Sequence, residues 1–184
     1  MKRQDLLVEA FRRLAPPTRY DWRLVRVGVV APDARSRALV ESRRRSAEGI
    51  NVGLALNLVP SALDELYRAS NIYSHGAGFW RPARHPERAE NFGMSTVEAM
   101  SRPVGPAVLS DGGQIEIVAP EVGRTWRSVD DLVEVADELA NDPELLSPYG
   151  CRAYGASSSA CSLPGFRDPA RELLLAGRRA AASQ

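Results

Sequence analysis

Short strand-length runs alternate with helix-length segments along this chain, and that alternation restricts its fold more than any other feature. The runs are WRLVRVGVV (22–30), INVGLALN (50–57), NIYSHG (71–76), PAVLS (106–110) and GRTWR (123–127). Each has a strand's length, and Pro, Gly, Asn, Asp or Ser punctuates most of their ends; the first reads as a buried strand. Between them, residues 4–14 put Leu6, Leu7, Ala10, Phe11 and Leu14 on one helical face. A polar helix is expected over 34–47. Ser61 is the expected cap of ALDELYRA, with Asp64 three residues on. Ser128 is expected to cap a helix with Val129, Leu132, Val133, Ala136 and Leu139 inward. Strands joined through helices run parallel, so the fold class is α/β, a parallel sheet with helices on both faces.

The bulk numbers exclude several function classes. At 184 residues the chain fits one domain, with room for a helical tail. Its 24 basic and 23 acidic residues give a net charge of +1, so nothing favours nucleic acid or an anionic membrane as partner. Lys2 is the sole lysine. Cys151 and Cys161 have no metal-ligand spacing, which argues against a disulfide framework or a zinc site. No apolar run approaches the ~20 residues of a membrane span. The charged start MKRQDLLVEAFRRL lacks the apolar centre of a signal peptide. A soluble cytoplasmic protein is the expectation. The composition of GASSSACSLPG (155–165) reads as flexible, which divides the chain into a domain over 1–145 and a helical, partly flexible tail over 146–184.

In open parallel sheets, ligands sit beyond the carboxyl ends of strands. Two glycine-led helix starts follow strands here, Asn91-Phe92-Gly93 and Ser110-Asp111-Gly112-Gly113. Glycine lets backbone N–H groups approach an anion closely, although either turn alone serves equally as a tight strand-to-helix connection. Glu98 lies more than one turn into the helix after Gly93. It either clasps a vicinal diol or is a solvated helix residue, and Val97, Ala99 and Met100 around it suggest a mostly buried helix. Glu90 precedes the turn and is either a sugar contact or one more loop charge. His75 ends a strand beside Gly76 and is either a ligand donor or a histidine satisfied by backbone. The long segment 77–92, with Arg81, Arg84 and Arg88, has no periodicity, as functional loops often do.

The string IYSHGAGFWRPARHPERAENFGMSTVEAMS, followed by VLSDGGQIEIV, resembles the donor-binding domain of retaining GT-B glycosyltransferases of the glycogen synthase and sucrose synthase kind. The resemblance covers about residues 2–145. It rests on two glutamates separated by seven residues (Glu90, Glu98), the E-A-M after them, and Gly112-Gly113-x-x-Glu116-Ile117-Val118. It implies a Rossmann-like C-terminal half of a GT-B fold that takes a nucleotide-diphosphate sugar, with no metal or other cofactor. By the same resemblance Glu98 would bind the ribose, and Glu90 would face the anomeric centre as the catalytic residue. Phe92, Gly93 and Met94 would offer backbone N–H groups, Lys2 would pair with the diphosphate, and His75, Gly112 and Gly113 would line the donor site.

Departures from the pattern matter as well. The family's N-terminal acceptor domain and the donor domain's first strand have no counterpart in the chain, which predicts an open sheet edge. Pro103 stands where a glycine is expected and should distort the turn after E-A-M. The tail lacks the usual aromatic-serine pattern. Two functions follow: a hexosyltransferase chain that holds only the donor site, or a nucleotide-sugar-binding module or decayed fragment without turnover.

Overall fold

A computed structural model describes residues 2–14, 21–79 and 90–160. In chain order it places α1 (Gln4–Leu14), β1 (Leu24–Gly28), α2 (Ala34–Arg45), β2 (Val52–Leu56), α3 (Pro60–Arg68), β3 (Ile72–His75) and α4 (Met94–Met100). Then come β4 (Gly105–Leu109), α5 (Gln114–Ile117), β5 (Arg124–Trp126), α6 (Val129–Asn141) and α7 (Pro143–Ala160). Every expected strand forms, and every strand pair is parallel, as the helical crossovers require.

The strands form two sheets rather than one. β1 pairs with β2 from Leu24–Val52 to Gly28–Leu56. β3, β4 and β5 form the other sheet, with β4 in the centre. Among the described residues no ladder joins the two. Helix α1 touches both: Gln4 Nε2 donates to the Val27 carbonyl at 2.7 Å, and a Cβ added at Gly76 would lie 3.5 Å from the Arg3 carbonyl. The first turn of α1 therefore stands beside the carboxyl ends of β1 and β3.

Side chains of β4 alternate between two apolar layers, because successive strand residues face opposite ways. Val108 packs with Met100, Val118, Val122 and Ala153 on one face. Leu109 packs on the other with Ala10, Trp126 and Leu132, and Ala107 with Leu139, Leu146 and Tyr149. Helices thus cover both faces of this sheet.

Three local expectations are corrected. The run 22–30 is not a buried strand: only Arg26 within β1 is buried, and Val29 is 93% exposed. Helix α2 contributes no buried residue to cover it. Ser61 does not cap α3, which starts one residue earlier at Pro60 with Val59 at the cap and no side-chain bond. Proline suits the first helical position because its fixed φ is helical and its missing N–H is not needed there. Asp64 instead pairs with Arg68 and Arg102. Finally, Gly155–Ala160, part of the stretch read as flexible, are helical and continue α7, which buries Leu146, Tyr149, Ala153 and Ser157. Residues 161–165 of the supposed flexible stretch lie outside the described residues.

Ser128 caps α6 as expected, accepting from the Asp131 N–H at 3.0 Å. The connection holding Pro103 is a short turn closed by the bond from Val104 N–H to the Arg102 carbonyl, and it leads into a fully buried β4.

Candidate functional site

The carboxyl ends of β3 and β4 bring the two glycine turns into direct contact. Gly113 N–H donates to the Glu90 carbonyl at 2.8 Å. A Cβ on Gly113 would collide with the Asn91 carbonyl, so only glycine fits where the turns cross. Gly93, at φ +78°, caps α4 in the left-handed region and lies against the Gln114 amide. Gly112 is also left-handed, at φ +59°. Helix α5 spans only Gln114–Ile117, so its dipole is small. The glycine at position 113 is explained by close packing of the turns rather than by a helix start aimed at an anion.

Three charged or titratable side chains meet above this junction. Lys2 Nζ donates to Glu90 Oε2 at 2.8 Å, and His75 Nε2 lies 3.6 Å from the same oxygen. Lys2 and Glu90 are 88 residues apart, and the first turn of α1 joins them. Arg3 beside Lys2 has φ +41°, a conformation L-residues rarely adopt. Its guanidinium is held by Asp5 and lies 5.6 Å from the centre of the Phe79 ring. Partial burial works against ionised Glu90, but the bond and charge of Lys2, with His75 and the Gly93 backbone, hold its pKa below the usual value. Burial and the Lys2 charge push His75 down against the pull of Glu90, so the imidazole is neutral near pH 7.

Tyr73 joins helix α4 to this group. Its hydroxyl is 2.8 Å from Ser95 Oγ, and its ring lies nearly parallel to that of His75 at 6.3 Å. Ser95 and Glu98, three residues apart, share a side of α4. Burial raises the Tyr73 pKa against its hydrogen bonds with Ser95 and Thr96, and the charges of both Glu90 and Glu98 add to the rise. Glu98 itself is exposed, because Thr96, Ala99 and Met100 form the inward side of α4. Phe92 and Met94 are exposed at the same edge, at 53% and 70%. Of the loop, residues 80–89 lie outside the described residues, among them Arg81, Arg84 and Arg88.

Sequence reasoning missed Tyr73, Thr96 and Gln114. Thr96 Oγ1 donates to Gln114 Oε1 at 2.8 Å, and Gln114 Nε2 lies 3.1 Å from His75 Nδ1. The available signal was positional: Thr96 lies between the two glutamates, and Gln114 directly follows Gly113.

A cavity of about 350 Å³ lies elsewhere, lined by Arg26, Arg43, Arg44, Ala47, Glu48, Val52, Gly53 and Leu54. Its one buried cation, Arg26, donates to the Arg43 carbonyl at 3.2 Å and so satisfies the last turn of α2. The convergent charged side chains, Lys2, Glu90 and His75, lie at the carboxyl edge of the other sheet instead.

The sequence profile of glycosyl transferases group 1 matches residues 1–155. The chain belongs to that family. No curated protein matches it. Solved structures fix the fold of this group 1 chain as the C-terminal half of a GT-B glycosyltransferase. It is similar to sucrose-phosphate synthase from Thermosynechococcus elongatus, with a TM-score of 0.68 and 19% identity over 98% of this chain and 42% of that one. HepE from Anabaena, in complex with UDP and glucose, aligns with a TM-score of 0.73 and 18% identity over 95% of this chain and 45% of that one. The C-terminal domain of LpcC, a group 1 protein from Francisella tularensis, aligns with a TM-score of 0.66 and 19% identity over 88% and 80%. The chain thus spans less than half the length of the first two. No described helix is long and apolar enough to cross a membrane.

Proposed function

We propose that this chain carries the donor site of a hexosyltransferase that uses a nucleotide-diphosphate sugar and retains its anomeric configuration. The observation that carries the reading is the convergence of Lys2, Glu90 and His75 over the two interlocked turns, in a chain of the group 1 family. HepE, which shares the fold, is seen with UDP and with UDP-glucose.

In this reading Glu98 accepts hydrogen bonds from the two ribose hydroxyls, as a surface carboxylate can. Glu90 faces the anomeric carbon, and Gly112 and Gly113 support the turn beneath it. The bond between that carbon and the diphosphate oxygen breaks, and its electron pair leaves with the phosphate. An acceptor hydroxyl forms the new bond on the same face as its proton passes to the leaving diphosphate oxygen. Lys2 exchanges Glu90 for the leaving diphosphate, and backbone N–H groups at Phe92, Gly93 and Met94 share the developing charge without a metal. In this reading the ionised Glu90 stabilises positive charge on the sugar ring.

The acceptor is supplied by a second domain, because one wall of a cleft does not align two reactants. The coverage of less than half of sucrose-phosphate synthase and HepE favours a second reading for this chain alone, binding without turnover. The reading places the protein in the cytoplasm, where the exposed Cys151 stays reduced.

Calorimetric titration of the chain with UDP, GDP and ADP tests the donor site, and at least one should bind. Glu98→Ala should weaken that binding on the order of tenfold, the loss of a charged hydrogen bond. Unchanged affinity in Glu98→Ala removes the ribose role. Hydrolysis assays with sugar nucleotides, with and without an added acceptor domain, separate the transferase from the binding module.

A further inference from the structure

Three polar side chains lie buried together beneath the site, and their bonds have a direction. Thr96 and Gln114 are fully buried, and the His75 side chain is 9% exposed. An amide has a donor end and an acceptor end, and a neutral imidazole has one of each. Two opposite polarities therefore fit the Thr96–Gln114–His75 distances.

The far end of the chain decides between them. His75 Nε2 faces Glu90 Oε2 at 3.6 Å, and a carboxylate offers only acceptors. A lone pair on Nε2 would point at negative charge, whereas a proton there is attracted to it. With the proton on Nε2, Nδ1 must accept, Gln114 must present its amide N–H, and the amide carbonyl must face the Thr96 hydroxyl. Each bond then reinforces the next. Gly93 closes over the amide, its backbone so near that an added Cβ would lie 3.0 Å from Gln114 Oε1.

At 3.6 Å the His75 N–H is too far from Glu90 for a hydrogen bond, and it has no hydrogen-bond partner among the described residues. A buried donor without a partner is costly, and a ligand oxygen removes that cost.

We propose that Gln114 is a positioning residue: with Thr96 it holds His75 in the Nε2–H form, whose proton is kept for an oxygen of the bound donor. Lys2 supplies the cation of the site, and the neutral imidazole adds a directed donor, suited to a sugar hydroxyl or a phosphoryl oxygen. The identity of that oxygen rests on the donor-site reading. The tautomer does not.

The chain has two histidines, so His85→Gln leaves His75 as the one signal in a 15N-histidine-labelled sample. In the ligand-free chain near pH 7.5, Nε2 should give the protonated-nitrogen shift and Nδ1 the unprotonated one. Gln114→Glu, an isosteric acceptor, should reverse the tautomer or charge the ring, and Thr96→Val should leave a mixture. Titration with UDP-glucose, ADP-glucose and GDP-mannose should move the Nε2 signal with whichever one binds. Gln114→Glu should then weaken that binding on the order of tenfold, the scale of one hydrogen bond. His75→Ala should weaken it as much, and the double variant no further.

An Nδ1–H form in the ligand-free chain overturns the proposal, as does a Gln114→Glu variant that folds and keeps the original tautomer. A sugar nucleotide that binds without moving Nε2 overturns the ligand role. If none binds while the tautomer is as described, the donor-site reading fails and the ligand role goes with it. Should the buried variants fail to fold, the unsubstituted tautomer and its response to sugar nucleotides still decide.

Discussion

The two sheets of this chain are both parallel and end in different states. In β4 every residue is buried, and apolar layers cover it from both sides. In β2 no residue is fully buried, and in β1 the single buried side chain is an arginine. The helix following β1 has no buried residue, whereas α4, α6 and α7 each supply several. Sequence pattern makes a strand, but neighbours on both edges and both faces make a core. The site belongs to the packed sheet, where its residues are held from below; α1, with Lys2 at its start, lies against both sheets.

Predictions that break or sharpen this contrast can be ordered by size. Trp126→Ala removes a side chain 1% exposed at the centre of one layer and should destabilise the chain by about 3–5 kcal/mol in urea unfolding. Met100→Ala, on the opposite face of β4, should cost about 2–5 kcal/mol by the same measurement. The matching substitution in the open sheet, Leu54→Ala, should cost less than either, since Leu54 is only half-buried. Val29→Thr, at a position 93% exposed, should stay within about 0.5 kcal/mol of the parent. If Leu54→Ala matches Met100→Ala, the contrast between the sheets is wrong.

Acid should act through the packed half as well. His75 is held below its ordinary pKa in the folded chain, so the unfolded chain takes up the proton first. The stability this contributes is full above the ordinary imidazole value of about 6.5 and is lost as pH falls toward the folded value. Glu90, also lowered, adds a loss at more acid pH, from the ordinary carboxylate range down through its folded value. Unfolding midpoints at pH 7.5, 6 and 5 should fall, and His75→Gln should flatten the first part of that fall. Lys2→Ala should also have only a small effect on stability. Lys2 is 64% exposed, and exposed ion pairs contribute at most about 1 kcal/mol. The same variant should nonetheless weaken nucleoside diphosphate binding measurably by calorimetry, which separates the site's function from its fold.

Much of the fold was legible because period and punctuation are local. The strand-length runs and the Ser128 cap appear where the pattern puts them, with ends shifted by one or two residues. Ser61 misled because a serine and a proline compete for a helix start within two positions, and the rigid ring at Pro60 prevails. The run 22–30 misled because valine content reports a preference for strand, while burial depends on what covers it. At the site, Glu90, His75, Gly93 and Gly113 were visible as charges and turns. Thr96 and Gln114 were not, since a buried threonine or glutamine is indistinguishable by type from a surface one.

The order of strands and helices, the parallel sense of the sheet and the two glycine turns were settled by sequence alone, because each depends on residues within a turn or a strand. Tertiary structure decided the division into two sheets, the meeting of Lys2 with Glu90 across 88 residues, and the buried bonds from Thr96 through Gln114 to His75. Those depend on which surfaces find a partner, and linear spacing does not encode distances between residues brought together only by packing.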